Sequence, residues 1–383
     1  MLSIIMLVLA APVSSEAAAE LPHDIVVEAQ RIDATLSGCL TRGCPTAEDI
    51  RLSIALAEAH FANGAYRDAH DVLRAAIGRN RLAAKSYPRM VAALYEASGT
   101  VSLHRGDMDA HRTAHIGRSR TLREGLPPDD PQVLLLAIEQ GDFYAKQGNW
   151  READRRYAAA EHRYVAAQEP RLAALVALRR AYLAFAREDL PLSESRLRTV
   201  AAMPAANDPA VAQLRAVLGA RIASARGEQG GIDTLLETLR TDPAEVPVLL
   251  HEAPVEPRAE RRAADMNQNP SQRSATQPES SAVAPIQWAD IGYMVAPDGT
   301  VSQVDVLRGN RDLRWTALQV KRIASRRYAP LRLAPGQPGL YRVERVTWRA
   351  QHVVPIGSFI KRAAGVHSVQ VLDMTKVAAS APD

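Results

Sequence analysis

"ALAEAHFANGAYRDAHDVLRAA", residues 55–76, decides the fold. Ala57, Gly64, Tyr66, Ala69, Leu73 and Ala76 sit at helical spacings on either side of a short Asn63-Gly64 break. Small residues let two helices cross closely, and the aromatic fills the gap beside the turn. The pattern returns in "GDFYAKQGNWREADRRYAAA", residues 141–160, with Gly141, Tyr144, Gly148, Trp150, Ala153, Tyr157 and Ala160. Weaker copies carry Gly99, Gly106 and Met108; then Ala181, Ala184, Leu190 and Leu197; then Ala220, Ala223, Gly227, Leu236 and Leu239. Each hairpin leaves an apolar face that only the next hairpin covers, so such units come in series.

This grid resembles the tetratricopeptide repeat, with a period of about forty residues in place of the family's usual thirty-four. The resemblance implies an α-solenoid over residues 47–245 that binds peptides or partner proteins. Pro127, Pro128 and Pro131, then Pro204, Pro209 and Pro243, punctuate the units. His104, His111 and His115 fall at i, i+7 and i+11, a spacing that can place imidazoles on one helix face. No metalloprotease-type motif accompanies them, and the reading is a polar set without a metal.

The composition agrees with helices. The chain has 383 residues, is 47% hydrophobic and only 5% aromatic. Its formal net charge of +4 is too small to mark a nucleic-acid binder. Residues 1–19, "MLSIIMLVLAAPVSSEAAA", read as a signal peptide, with an apolar run and an Ala17-Ala18-Ala19 cleavage site. Left uncleaved, the same segment is the inner-membrane anchor of an alternative reading. Residues 20–46 form an N-terminal lead. Cys39 and Cys44 are close enough in sequence for a short-loop disulfide in an oxidising compartment. Leu36-Ser37-Gly38-Cys39 reads like a lipoprotein box, but charged residues separate it from the apolar run.

From residue 246 to 285 Pro, Ser, Gln, Asn and Glu dominate, and apolar periodicity vanishes, as in a disordered linker. The period then changes. Ile291, Tyr293 and Val295 alternate, Asp298-Gly299 makes a turn, and Val304 and Val306 alternate on the return. Val301 is out of phase, which marks a bulge or a late strand start. Asp312 is positioned to cap a helix carrying Leu313, Ala317, Val320 and Ala324, which Pro330 ends. "LYRVERVTW" makes a third strand. "SVQVLDMT", in the 353–383 tail, is a candidate for one more.

The run "IGYMVAPDGTVSQVDVLRG…WTALQVKRIASRRYAP…GLYRVERVTW" resembles the C-terminal domain of TonB-type energy transducers, over about residues 286–352. The resemblance implies a ββαβ fold whose last strand has an open edge. Along that edge Leu340, Tyr341, Arg342, Val343, Glu344, Arg345, Val346, Thr347 and Trp348 would receive an extended peptide from an outer-membrane receptor. Unpaired strand edges accept added strands on general grounds. Residues 286–350 hold eleven Lys/Arg against five Asp/Glu, a net of +6 that suits an acidic peptide or an anionic surface. "HDIVVEAQR", residues 23–31, resembles the short box that receptors offer to such domains. Asp24, Ile25, Val26, Val27 and Glu28 are thus a candidate strand donor, in the same molecule or a neighbour.

The chain therefore reads as mainly α, a tetratricopeptide-like α-solenoid followed by a small α+β TonB-like domain. The functional expectation is a non-enzymatic, exported envelope scaffold that binds a partner by strand addition. Its partners are an outer-membrane receptor, another envelope protein or a second copy of the chain. No cofactor, nucleic acid or small-molecule substrate is implied. Two alternatives are a membrane-anchored energy transducer serving transmembrane transport and a periplasmic repeat adaptor for envelope assembly.

Overall fold

The computed structural model describes residues 23–228, 247–253, 286–310, 313–353 and 362–375. The signal peptide, residues 254–285 of the linker, Leu236, Leu239, Asp312 and the end of the tail lie outside the described residues. Helix α1 (His23–Thr41) precedes antiparallel hairpins α2/α3 (Thr46–Ala62, Tyr66–Asn80), α4/α5 (Pro88–His104, Met108–Gly125), α6/α7 (Pro131–Lys146, Trp150–Ala166) and α8/α9 (Pro170–Ala186, Leu190–Ala201). Helix α10 (Pro209–Ala225) follows.

The hairpins share one turn. Gly64, Gly106, Gly148, Glu188 and Gly227 all have positive φ, between 63° and 80°. At each, a crossed pair of backbone bonds closes the first helix, as in Gly64 N to Phe61 O and Ala65 N to His60 O. Asp107, Asn149 and Asp189 then cap the second helix. Inside the hairpins small residues lie on aromatic rings. A Cβ on Gly141 would enter the Tyr157 ring, and one on Gly117 the Tyr95 ring. This is a tetratricopeptide-like solenoid built from local rules.

The first helix corrects one expectation. Asp24 to Glu28, read as a strand donor, lie within α1. The β-branched run is too short to outweigh the Ala-, Gln- and Arg-containing helical stretch that continues it. Cys39 and Cys44 are joined, tying the end of α1 to the loop before α2. Leu36 is buried against Leu52 and Leu56, so the lipoprotein-like box is part of a helix packed on α2.

Strands β1 (Leu249–His251), β2 (Gln287–Val295), β3 (Val301–Gly309), β4 (Arg327–Tyr328), β5 (Leu340–Val353) and β6 (Arg362–Asp373) complete the described elements, with helix α11 (Ala317–Ala324) between β3 and β4. The main sheet has the order β3-β2-β5-β6, antiparallel throughout. Register slips opposite Gln303, whose φ is 51°, which is the irregularity expected near Val301. Helix α11 ends at Ala324, earlier than Pro330 suggested, because Arg327–Tyr328 leave the helix to pair with β1. β1 itself falls inside the stretch read as linker.

Two results change the functional reading. First, β5 is not an edge: β2 flanks it on one side and β6 on the other. Leu340 to Trp348 face β2 along their whole length, and Glu344 to Trp348 also pair with Asp373 to Val369. The tail strand occupies the edge assigned to a partner, since a neighbouring strand in the same chain satisfies those backbone groups at high local concentration. Second, the sheet is not a separate module on a tether. Val343, Met374, Trp288 and Leu372 share one hydrophobic cluster with Ile50, Phe61, Tyr66 and Leu94 of the solenoid. The opposite face packs on α11, with Ile291, Val346, Trp315 and Ile323 buried.

At Gly64 both modules meet: the Trp288 indole lies 2.3 Å from where a Cβ would be, whereas Gly148 has nothing within 4 Å. Both glycines are left-handed. Gly148→Ala should cost about 1–2 kcal/mol through backbone strain alone. Gly64→Ala should cost about 1–3 kcal/mol more, because the indole must move. Urea unfolding of the two variants checks this; equal losses would show that the sheet does not rest on the turn.

Candidate functional site

The junction of sheet and solenoid is organised by alternate residues of β5. Because side chains in a strand alternate, Arg345, Thr347 and Arg349 point to one face, toward the solenoid, at successive rungs. The first rung is Arg345, whose side chain is completely buried. Its Nη1 donates to Phe61 O at 2.7 Å and to the Tyr66 hydroxyl at 3.2 Å. Its Nη2 donates to Ala62 O at 2.7 Å and Asp290 Oδ2 at 2.9 Å, and its Nε donates to Asp290 Oδ1. A guanidinium has five N–H donors, and all of them are used here. Phe61 and Ala62 close α2, so the cation caps the negative end of that helix from outside it. The plane stacks on the Trp288 ring, 4.0 Å from its centroid.

Asp290, buried on the neighbouring strand, is held from the other side by Arg308 Nε at 2.7 Å. Burial alone would drag the Arg345 pKa down. Its bonds to Asp290 and its attraction to the Tyr66 oxygen more than reverse that, so it stays charged.

At the second rung Thr347 Oγ1 lies 2.7 Å from His104 Nδ1 and 3.4 Å from the Tyr66 hydroxyl. His104 is the last residue of α4 and Tyr66 the first of α3. Burial, and then the charge of Arg345, push the His104 pKa down to about 3, so it is neutral at physiological pH. Its ring meets Phe61 edge-on at 4.9 Å. The histidine series therefore does not converge. His111 Nδ1 lies 3.0 Å from Gly99 O, and His115 stacks on Phe143 at 4.7 Å. Among the described residues no group of three or more His, Cys, Asp or Glu could hold a metal ion.

Strand β5 is anchored on its other face as well. Glu344 Oε1 accepts from Arg326 Nη1 at 2.8 Å and from the Tyr293 hydroxyl at 2.7 Å. Arg326 also donates to the Tyr328 hydroxyl at 3.2 Å and to Glu252 Oε1 at 2.6 Å. Burial lowers the Arg326 pKa, but Glu344, Tyr328, Tyr293 and Glu252 raise it further, and the net direction is up. Glu252 follows β1, whose Leu250 is buried with Val217 and Ala220 of α10. The main sheet thus touches the first two hairpins through β5, and the separate β1–β4 pair reaches α10 through Leu250.

Of the residues expected to receive a partner strand, Glu344, Arg345 and Thr347 serve as internal anchors, and Val343, Val346 and Trp348 are core. Sequence reasoning gave Tyr66 and His104 other roles, as repeat aromatic and member of a histidine series, and missed Asp290 and the α2 carbonyls. The available signal was an aspartate inside an otherwise apolar strand and an arginine opposite it. Among the described residues, at least six of the eleven cations in 286–350 have carboxylate partners in the same chain: Arg308, Arg322, Arg326, Arg342 and Arg345, with Arg327 meeting Asp298 at the surface.

Arg345→Met should destabilise the protein by about 3–5 kcal/mol, since it leaves buried Asp290 to Arg308 alone and strands two helix carbonyls in the interface. Chemical denaturation measures this, and a loss under about 1 kcal/mol would refute the anchoring role. Burial also holds the pKa values of His111 and His115 down to about 4, and these depressed histidines predict acid sensitivity. The unfolded chain binds protons below about pH 6.5 while His104 stays neutral to about pH 3. Stability should therefore fall as pH drops through this window, by about 1.4 kcal/mol per unit for each such histidine. His104→Gln should remove one proton's share of that slope in urea titrations between pH 7 and 4.5.

No family model matches the chain, and no curated protein does. Among solved structures it is similar to BtubC (BKLC) from P. vanneervenii, at 15% identity and a TM-score of 0.43, over 67% of this chain and 98% of that one. It is also similar to nearly identical TPR-like repeats assigned to a kinesin light chain of Podosopora anserina, at 16% identity and a TM-score of 0.38, over 51% of this chain and 94% of that one. A third is the Rap conjugation gene regulator of plasmid pLS20, in complex with the Phr* peptide, at 11% identity and a TM-score of 0.35, over 50% of this chain and 53% of that one. The expectation of transmembrane transport is corrected: among the described residues no helix is long and apolar enough to cross a membrane, while residues 1–19, the anchor of the alternative reading, lie outside them.

Proposed function

We propose that the protein is a non-enzymatic interaction scaffold, exported to the periplasm of a Gram-negative envelope. On this reading it takes an extended segment of an outer-membrane protein by strand addition along β5, in exchange for its own β6. The observation that carries the reading is the β5–β6 ladder. A strand from the end of the chain lies antiparallel on Glu344–Val353, with a register slip between Ala350 and His352. β5 therefore accepts a strand on this side, and its accepting face is held rigid from both sides by Arg345 and Glu344. Rigid placement lowers the ordering cost of an incoming peptide. The strand register supplies affinity through the backbone, and the alternate positions of Val369 and Val371, packed toward α11, supply side-chain selection. Tetratricopeptide-like architecture around the sheet fits a protein whose work is association rather than chemistry.

The direct test is occupancy in trans. A chain ending at Val353 should bind a labelled synthetic peptide of residues 362–375, and the full-length chain should bind it at least about tenfold more weakly, because its own strand competes. A full-length Val371→Pro variant should lie between them, which covers the case of a truncated chain that does not fold. A folded truncated chain and a Val371→Pro variant that both ignore the peptide would defeat the reading.

A further inference from the structure

The third rung of β5 differs from the other two. Arg345 meets helix carbonyls and Asp290, and Thr347 meets His104, but Arg349 comes next to another cation, Arg105, the residue that follows α4. The placement follows from the ladder itself: Thr347 bonds to His104, so two residues further along β5 Arg349 arrives beside the residue after it. Both guanidiniums are half-buried. Each keeps a fully buried N–H nitrogen with no hydrogen-bond partner: Nη1 of Arg105 and Nε of Arg349.

The carboxylates in reach are already engaged. Asp107 attracts both guanidiniums, but its Oδ1 caps α5 by accepting from Ala110 N at 3.1 Å. Asp71 attracts Arg105 and is shared by Arg67, His70 and Arg74, at 3.9, 3.2 and 3.7 Å. Burial and then the charge of Arg105 hold the Arg349 pKa down to about 10, and burial lowers that of Arg105. Two cations brought together out of water, each with an unused buried donor, cost free energy; Asp107 attracts both yet leaves both pKa values below the usual arginine range, so a further anion would stabilise the pair.

We propose that Arg105 and Arg349 form an oxyanion site at the junction of the helical array and the sheet, able to take a carboxylate or a phosphate between them. Paired N–H donors on planar guanidiniums match two oxygens of one anion. Such an anion bridges α4 and β5, so its binding tightens the junction. The proposal rests on the sheet's docking and does not depend on the exchange of β6.

Calorimetry of the full chain at low chloride, with inorganic phosphate and with acetyl-tetraglutamate as separate probes, tests it; acetyl-tetraglutamine is the uncharged control. Binding of phosphate alone identifies a free oxyanion site, and binding of the acidic peptide identifies a partner's side chains; either supports the proposal. Arg349→Gln and Arg105→Gln should each weaken binding by about tenfold or more. Thermal unfolding separates this from a purely structural role. Without added anion Arg349→Gln should unfold no lower than wild type, because a like-charge pair is relieved, and only the wild type should gain stability from the probe. Failure of the wild type to bind either probe, or equal binding by the Gln variants, would overturn the site.

Discussion

One buried cation holds the architecture together. Arg345 cannot shed its proton, so taking it out of water is tolerable only if every donor finds an acceptor. Two acceptors are carboxylate oxygens of Asp290 on the adjacent strand, and two are the terminal carbonyls of α2. The arrangement has little tolerance for displacement. If the sheet slid by one residue on the solenoid, the guanidinium would lose Phe61 and Ala62 and face the apolar rings beside them. Trp288 over Gly64 and Thr347 on His104 follow from this registration.

Docking of this kind changes what each part can do. The helix ends of the first two hairpins, free surface in an isolated repeat array, here serve as the seat of a sheet. The strand expected to greet a partner is central, and about half of the positive charge expected to colour the surface is spent on pairs within the chain. For association the proposals are a strand slot that the chain fills with its own tail and, among the described residues, the half-buried Arg105–Arg349 pair at the seam. On these proposals binding competes with internal contacts.

Much of the solenoid was legible because its determinants are local. A residue with positive φ (glycine in all but the α8/α9 turn), a capping Asp or Asn beside it in all but the α2/α3 hairpin, and small residues facing aromatics mark the hairpins within about twenty residues. The β2–turn–β3 signal was equally local, down to the irregularity near Val301. The junction was not legible, because it depends on pairings between residues such as Phe61 and Arg345, far apart in the chain. Periodicity shows that a strand has two faces but not what covers them. For the same reason "SVQVLDMT" could be suspected as a strand without its neighbour being named. The misreading of residues 23–31 has another cause. A motif of five residues carries less weight than the helical stretch of nineteen that contains it.

The central claim is that solenoid and sheet form one cooperative unit through Arg345. Native-state hydrogen exchange across low denaturant concentrations tests it most directly. If the account is right, amides of the α2–α3 turn at 61–66 and of β5 at 344–348 open with the same free energy and the same denaturant dependence. Exchange of the β5 amides through a separate, cheaper opening, with the turn still protected, would contradict it.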